Sequence, residues 1–155
     1  MLFRSLDGFF GGGARPTDWI AGFTEAARLD RARADSILAA GRVARDSLSK
    51  PSLPLEKYAG RYRDDLYGDA TITLENGRLV LRFSHSAAFT GDLEHWQYDT
   101  FVAHWRASHL EDAYVTFSLD PDGSIDRFRL TAVSPLADFS FDFQDLEFRP
   151  APTPR

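Results

Sequence analysis

The amino-acid sequence predicts a mainly β protein in which an N-terminal helical segment precedes an antiparallel meander of about eight strands. Apolar residues recur with helical spacing up to about residue 50 and alternate with polar residues beyond it. An Asn-Gly pair at 76–77 separates two alternating runs in mirror phase, which is typical of a β-hairpin. Nearly all strands are joined by short connections, so we expect the meander to curl into a closed or half-open barrel. A flat sheet covered by the N-terminal helix is the competing architecture.

The composition is that of one globular domain. The chain has 155 residues, of which 43% are hydrophobic and 14% aromatic, and this fits a β-rich core rather than a disordered chain. Cysteine is absent, which excludes disulfide bonds, thiolate metal ligands and a cysteine nucleophile. No apolar run approaches the roughly 20 residues that span a bilayer. The N-terminus lacks the cleavage pattern of a signal peptide, and we do not expect one there.

The charge is distributed unevenly along the chain. Residues 51–155 hold 10 basic and 17 acidic side chains, a balance of −7, whereas residues 1–50 hold 8 and 6, a balance of +2. An acidic β domain repels the phosphates of nucleic acid. Nucleic acid is therefore not an expected partner.

Two helical segments are predicted before residue 50. The first is short, ends at the glycine run 11–13, and must dock on the domain or on a partner to bury its apolar face; its apolar residues are Leu2, Phe3, Leu6, Phe9 and Phe10. Thr17 and Asp18 are suited to begin the second segment. From Trp19 to about Leu48 we expect one long helix, or two that meet near Gly41.

The longer helical segment carries a thin apolar stripe that is partly lined by alanine, while arginines occupy much of the remaining surface. The amphipathic pattern favours docking along another surface over a solvated connector. Prolines at 51 and 54 then end the helical part. The stripe comprises Ile20, Phe23, Ala27, Ala34, Ile37 and Leu38.

The strongest turn signal is Asn76-Gly77. A two-residue type I′ turn there places Glu75 opposite Arg78 and puts every apolar residue of both strands on one face. The other facing pairs are then Leu74 with Leu79, Ile72 with Leu81 and Ala70 with Phe83.

The other strands are placed by alternation and by turn residues. In the hairpin 114–131, Asp120 to Gly123 suit a type I turn followed by a left-handed residue, and a slip in the apolar phase predicts a bulge near Asp126-Arg127. A first strand is predicted at 55–62, and a polar stretch at 84–88 precedes strands 93–98 and 101–105, which are joined at Asp99-Thr100. The last predicted strand contains Phe139, Phe141 and Phe143, and its alternation slips in phase before Leu146 and Phe148.

Two patterns suggest chemistry, and each has a structural interpretation that we favour. The tetrapeptide 47–50, SLSK, matches the S-x-x-K motif of serine hydrolases, but it ends a helix and runs into Pro51, so a working nucleophile is not expected. His95 and His104 flank the predicted Asp99-Thr100 turn and would face each other there. Because a third ligand is missing on that face, a structural or surface pair is favoured over a metal site, and no cofactor is predicted.

Two further groups of side chains have residue types found in functional sites. Acidic pairs such as Asp64-Asp65 and Glu111-Asp112 are predicted to be solvated turn residues rather than a glycosidase dyad. An aromatic group in the middle hairpins is predicted to be core, with the wall of an apolar ligand pocket as the alternative. These pocket candidates are Trp96, Tyr98, Phe101, Trp105 and Tyr114.

Three runs carry a family resemblance: YAGRYRDDLYGDATITLENGRLVLRF at 58–83, TGDLEHWQYDTFVAHW at 90–105 and FSFDFQDLEF at 139–148. Together they resemble the C-terminal domain of unknown function that is appended to bacterial serine hydrolases of the β-lactamase-related, penicillin-binding-protein-like group. LFRSLDGFFGGGARPTDW at 2–19 is similar to the junction after the last helix of such a catalytic domain.

The resemblance implies both a fold and a domain order. It implies a remnant of the preceding catalytic domain at 1–15, a helical linker at 16–50, a lipocalin-like barrel or half barrel at 51–150 and a tail at 151–155. The S-x-x-K, Y-x-N and H-x-G or K-T-G elements of the hydrolase would lie upstream, so no catalytic role passes to a residue of this chain. The protein would be periplasmic or secreted if the parent hydrolase has a signal peptide upstream, and cytoplasmic otherwise.

The function expected from the resemblance is that of a non-catalytic accessory domain, which assembles oligomers or shapes access to the active site of the hydrolase. Its partners would be the catalytic domain, a second copy, or both. The alternative is a stand-alone lipocalin-like module that binds a small apolar ligand. A barrel filled by its own aromatic side chains would disfavour that alternative.

Overall fold

A computed structural model describes residues 19–137 and 145–152. It contains a long helix, a short helix and eight β-strands. The elements in chain order are α1 (Trp19–Ala44), α2 (Leu55–Tyr58), β1 (Gly60–Asp64), β2 (Gly68–Glu75), β3 (Arg78–Phe83), β4 (Ser86–Gln97), β5 (Thr100–Trp105), β6 (Ala113–Leu119), β7 (Ile125–Ala132) and β8 (Arg149–Pro150).

The strands form one antiparallel sheet that curls into a nearly closed barrel. Strands β1 to β7 neighbour each other in sequence order, and β8 pairs with β1. Phe148, directly before β8, exchanges two backbone hydrogen bonds of 2.9 and 3.0 Å with Phe128 of β7. This seam joins the two ends of the sheet. The predicted mainly β meander and barrel are confirmed, and the flat-sheet alternative is wrong.

The β2–β3 hairpin has the predicted register. Glu75 pairs with Arg78 and Leu74 with Leu79, and the same register continues to Ala70 and Phe83. Asn76 and Gly77 have φ of 51° and 79°, which is the left-handed conformation that a type I′ turn requires at both positions.

The β6–β7 hairpin contains the predicted bulge. Ser118 pairs with Arg127, but the next pair is Leu119 with Ile125, so Asp126 is the extra residue. Gly123 has a φ of 83°, as expected for the residue after the turn.

Two predicted boundaries are wrong. Residues Leu55–Tyr58, predicted as the start of the first strand, form the helical turn α2, because Pro54 accepts a backbone hydrogen bond of 2.9 Å from Lys57 and the chain bends there. The predicted polar stretch 84–88 is in part a strand, since β4 begins at Ser86 after a register shift beside Phe83.

The barrel interior is filled by aromatic side chains. Phe128 and Phe148 stack at 4.8 Å across the seam, and most other ring pairs meet edge to face. Tyr58 of α2 inserts between Phe101 and Phe117, with ring centroids 5.2 and 4.9 Å away. The buried rings of the described residues are Tyr58, Tyr62, Phe83, Phe101, Trp105, Phe117, Phe128 and Phe148.

Helix α1 is one continuous helix of 26 residues, and within the described ranges it makes no extended contact with a strand. Ile20 and Phe23 are 72% and 73% exposed, and only Ala34 of this helix is buried. No described helix is long and apolar enough to cross a membrane. The predicted short N-terminal helix, the cap at Thr17-Asp18 and the strand with Phe139, Phe141 and Phe143 lie outside the described residues.

Candidate functional site

The segment between α1 and α2 binds the turn that connects β4 to β5. We call this contact the linker–turn interface and define it by residues 45–58 on one side and residues 95–99 on the other. These two segments are about 50 positions apart in the chain, so their contact fixes where α1 leaves the barrel. The interface is built almost entirely from hydrogen bonds.

Arg45 is the first contact after the end of α1. Its Nε donates a hydrogen bond of 2.7 Å to the carbonyl oxygen of Trp96, and its Nη2 donates one of 3.0 Å to the carbonyl oxygen of His95. The guanidinium carbon lies 4.5 Å from the centre of the Trp96 ring. The planar fork of arginine allows both donations together with stacking on an aromatic face, which lysine does not reproduce.

Asp46 and Ser49 continue the interface. The backbone N–H of Asp46 donates to Oε1 of Gln97 at 3.0 Å, and the hydroxyl of Tyr98 donates to the Asp46 carboxylate at 3.2 Å. The backbone N–H of Tyr98 donates to Oγ of Ser49 at 3.0 Å, while the Ser49 hydroxyl donates to the Asp46 carbonyl at 2.7 Å. The linker and the turn thus each provide side-chain acceptors for a backbone N–H group of the other.

Asp99 holds the other end of the linker. Its carboxylate accepts hydrogen bonds from the backbone N–H of Ser52 at 2.8 Å, from the Ser52 hydroxyl at 2.7 Å and from the hydroxyl of Tyr58. Burial by itself would raise the pKa of Asp99, but the donors on Tyr58 and Ser52 outweigh it and hold the pKa below its usual range. Burial, together with the bond to Asp99, raises the pKa of Tyr58.

Tyr98 adopts a backbone conformation that is unfavourable for a side chain other than glycine. Its φ is 48°, in the left-handed region, which costs roughly 1–2 kcal/mol for such a residue. Such conformations persist where the surrounding contacts fix them. Here the contacts are those of Asp46 and Ser49 to Tyr98, together with the 2.9 Å contact between Nε2 of His95 and the Tyr98 carbonyl.

The five aromatic pocket candidates lie in three different places. Phe101 and Trp105 are buried in the core. Trp96 and Tyr114 lie on the outer face, with ring centroids 5.5 Å apart, and Tyr98 is 58% exposed at the turn. They do not line a common pocket.

The predicted pairing of His95 with His104 is wrong. The turn consists of Tyr98 and Asp99 rather than Asp99 and Thr100, and a bulge at Trp96 shifts the register again. His95 therefore pairs with Phe101, whereas His104 pairs with Asp92, so the two imidazoles lie on opposite faces of the sheet.

His104 instead contacts acidic side chains on the outer face of the barrel. Its Nδ1 lies 2.7 Å from Asp112 and its Nε2 lies 3.4 Å from Glu94. Across the described ranges, no three His, Asp or Glu side chains are arranged to hold a metal ion.

The other sequence patterns have structural roles. The tetrapeptide 47–50 follows the end of α1, and the Ser49 hydroxyl is engaged in the linker–turn interface. Asp64, predicted to be a solvated turn residue, is buried, because its carboxylate accepts backbone hydrogen bonds from Leu66, Tyr67 and Glu147 at 2.8–2.9 Å. This bond to Glu147 ties the seam to the β1–β2 turn.

A surface depression of about 330 Å³ lies beside the β2–β3 turn. Leu79, Leu93 and Phe101 contribute its apolar part. Arg78 and Glu94 are among the charged residues around it. The depression has a mixed lining. It includes only Phe101 of the predicted aromatic pocket residues, while His95 and His104 both contribute to its lining.

Sequence reasoning missed Arg45 and Asp99 as the principal contacts of the site. A signal was present, since the polar residues Asp46, Ser49 and Ser52 cluster in a short segment next to prolines. Their partners could not be identified because a contact across about 50 positions leaves no local pattern.

The family model described as "Domain of unknown function (DUF3471)" matches residues 44–150. The match includes the whole linker–turn interface and the barrel. A comparison with curated proteins finds no match. Among solved structures, a crystal structure of the C-terminal domain of a penicillin-binding protein is 26% identical, with coverage of 66% of this chain and 88% of that chain and a TM-score of 0.48.

Proposed function

The chain belongs to the DUF3471 family, and from that premise we propose that it is the non-catalytic accessory domain of a β-lactamase-related serine hydrolase. In this proposal the domain follows the catalytic domain and either assembles the enzyme into oligomers or shapes access to its active site. The sequence resemblance of the three runs at 58–83, 90–105 and 139–148 supports the type of parent protein.

The observation that carries the proposal is the linker–turn interface. The barrel uses the whole of its β4–β5 turn to hold the segment that leads back to α1, and Tyr98 is kept in a costly conformation to do so. A domain that only has to fold could leave this segment free. A domain that positions whatever precedes it needs a fixed exit direction, and the interface provides one.

The filled interior is the reason to place the ligand-binding alternative second. The aromatic side chains of the described residues pack against each other at centroid distances of 4.8–6.3 Å and occupy the centre of the barrel. Small-molecule sites are usually concave cavities that bury most of the ligand. A lipocalin-like binding function would require these rings to move apart.

The proposed partners are the catalytic domain of the hydrolase and a second copy of the chain. The excess of acidic side chains in residues 51–155 disfavours nucleic acid, because like charges repel at the surface. The catalytic serine and lysine of the enzyme would be supplied by the preceding domain.

The proposal is tested on the parent enzyme, identified from the reading frame upstream of Met1. We expect this frame to encode serine-hydrolase motifs. The intact enzyme is compared with a version that ends at Lys50, by solution mass and by activity against substrates of different size. Loss of the oligomer, or a changed substrate range, is the expected result. An enzyme whose mass, activity and substrate range survive the deletion would contradict both roles.

Point variants of the parent enzyme separate the interface from the barrel. Arg45→Ala and Asp99→Ala should each reproduce part of the deletion effect, because they release the linker from the turn. Arg78→Ala is the matched control, since Arg78 is exposed and lies outside the linker–turn interface. Equal behaviour of all three variants would show that the exit direction of α1 is irrelevant to the enzyme.

A further inference from the structure

We propose that the linker holds the β4–β5 turn in a strained conformation, and that release of the linker relaxes the turn and changes the surface depression beside it. The direction in which α1 leaves the barrel and the shape of the depression are thereby coupled. The coupling is a property of this chain. Its use by an enzyme rests on the proposed function, because there the preceding domain would move the linker.

Each of the five residues 95–99 makes at least one hydrogen bond with the linker. The bonded groups of the turn are two backbone carbonyl oxygens, one backbone N–H, one side-chain amide, one tyrosine hydroxyl and one carboxylate. Their partners in the linker are Arg45, Asp46, Ser49, Ser52 and Tyr58. Release of the linker therefore removes bonds along the whole length of the turn.

The sequence of the turn does not favour its conformation. Two-residue hairpin turns with a positive φ at the first position prefer glycine, asparagine or aspartate there, because larger side chains are strained in the left-handed region. Tyr98 occupies this position with a φ of 48°. Among the described residues, Asp46 and Ser49 are those outside the turn that bind Tyr98. Without these two contacts we expect Tyr98 to leave the left-handed region.

His95 connects the turn to the depression. Its Nε2 lies 2.9 Å from the carbonyl oxygen of Tyr98, and its ring packs edge to face on Phe101 with centroids 5.6 Å apart. Both His95 and Phe101 line the depression, and so does Leu55 of α2. A change of φ at Tyr98 redirects its carbonyl group, so the His95 ring loses the contact that fixes it and the lining of the depression changes.

The first test compares Tyr98→Gly with Tyr98→Ala. Both substitutions remove the ring, but only glycine tolerates a left-handed backbone without strain. In the natural chain Tyr98→Gly should be the more stable, with a folding equilibrium constant about threefold larger. In the released-linker variant, defined as Arg45→Ala with Asp46→Ala and Ser49→Ala, the order should reverse, because glycine in a relaxed backbone only adds freedom to the unfolded chain. Urea denaturation measures all four proteins.

The matched control carries the same three types of substitution on the exposed surface of α1, namely Asp35→Ala, Ser36→Ala and Arg42→Ala. It should keep the order of the natural chain, because its contacts to the turn are intact. Circular dichroism first establishes that each variant keeps its β structure. If the released-linker variant does not fold, Ser49→Ala alone takes its place, since it removes the acceptor of the Tyr98 N–H.

The second test follows the imidazole rings by NMR. A carbonyl oxygen only accepts hydrogen bonds, so the contact with Tyr98 places the hydrogen of neutral His95 on Nε2. Ring nitrogen shifts at about pH 8 should show this tautomer alone in the natural chain and a mixture of both tautomers in the released-linker variant. His104 is the internal control, because it contacts Asp112 and Glu94 rather than the linker. Its signals should not move.

Three results would each overturn the proposal. If Tyr98→Ala is the more stable in the natural chain, the turn is not strained. If Tyr98→Gly remains the more stable after release of the linker, the turn imposes its own conformation. Unchanged His95 signals in the released-linker variant would show that the depression is independent of the linker. The accessory role is judged separately by deletion in the parent enzyme, so failure of the coupling and failure of the proposed function are distinguishable.

Discussion

At the scale of single residues, Asp99 does more for the linker than any other side chain. One carboxylate accepts three hydrogen bonds, two from Ser52 and one from Tyr58, and so connects the linker, α2 and the β4–β5 turn. Hydrogen bonds to a charged acceptor are stronger than neutral ones. Removing this acceptor also takes away the group to which the hydroxyl of the buried Tyr58 side chain donates its hydrogen bond.

Asp99→Ala should lower the free energy of unfolding by about 2–3 kcal/mol, because three donors lose a charged acceptor. Urea denaturation followed by tryptophan fluorescence measures the change. Asp65→Ala is the control, since Asp65 is exposed in the β1–β2 turn. Equal losses in the two variants would show that the Asp99 contacts add no net stability.

Asp99 also predicts a dependence on pH. Its pKa is held below the usual range in the folded protein, so its contribution is present above its unfolded pKa of about 3.9 and is lost as pH falls through the lower folded value. The stability difference between the natural chain and Asp99→Asn should therefore shrink below about pH 4. Urea midpoints for both proteins between about pH 7 and pH 3 test this, and a constant difference would contradict it.

At the scale of elements, the sequence predicts those whose signals are local. The β2–β3 hairpin could be predicted pair by pair because Asn76-Gly77 fixes the turn type, and the turn type fixes the register. The β6–β7 bulge could be placed because one extra residue in a strand restores the alternation of apolar and polar side chains after a slip in phase.

The β4–β5 hairpin could not be predicted in the same way. Its register depends on a left-handed Tyr98 and on an extra residue at Trp96, and both are held by Arg45, Asp46 and Ser49 in the linker. A contact with a distant segment therefore overrides the local preference. For the same reason, His95 and His104, which the sequence predicts to face each other, lie on opposite faces of the sheet.

Helix α1 gives a prediction about the stability of the helix itself. Gly41→Gln should stabilise it, since glutamine is a better helix former and its Cβ points into open space. Circular dichroism during thermal unfolding measures the change, and a variant that loses helix content would contradict the expectation.

At the scale of the whole molecule, the barrel depends on a short seam. Phe148 is fully buried, its ring stacks on Phe128, and the backbones of the two residues are joined by hydrogen bonds. In the same region Leu146 is buried and the Asp64 carboxylate accepts a hydrogen bond from the backbone of Glu147. Without this seam the strands β1 and β7 would end in unpaired edges.

Phe148→Ala should destabilise the chain by about 3–5 kcal/mol, because it removes a buried ring and leaves a cavity beside Phe128. Leu136→Ala is a useful comparison, since Leu136 is 48% exposed and should cost little. Denaturation with guanidinium chloride measures both. If Phe148→Ala were as stable as Leu136→Ala, the barrel would not depend on its seam.

The seam also bears on how the protein is made. Strands β1 to β7 emerge from the ribosome before residues 146–150, so each can pair with its neighbour while the sheet is still open. Closure has to wait for the strand that is synthesised last of the eight. During that interval the nascent sheet exposes two edges, and a chain cut short in this region would keep them. Unpaired strand edges favour aggregation, so the segment 146–150 protects the finished sheet by covering both of them.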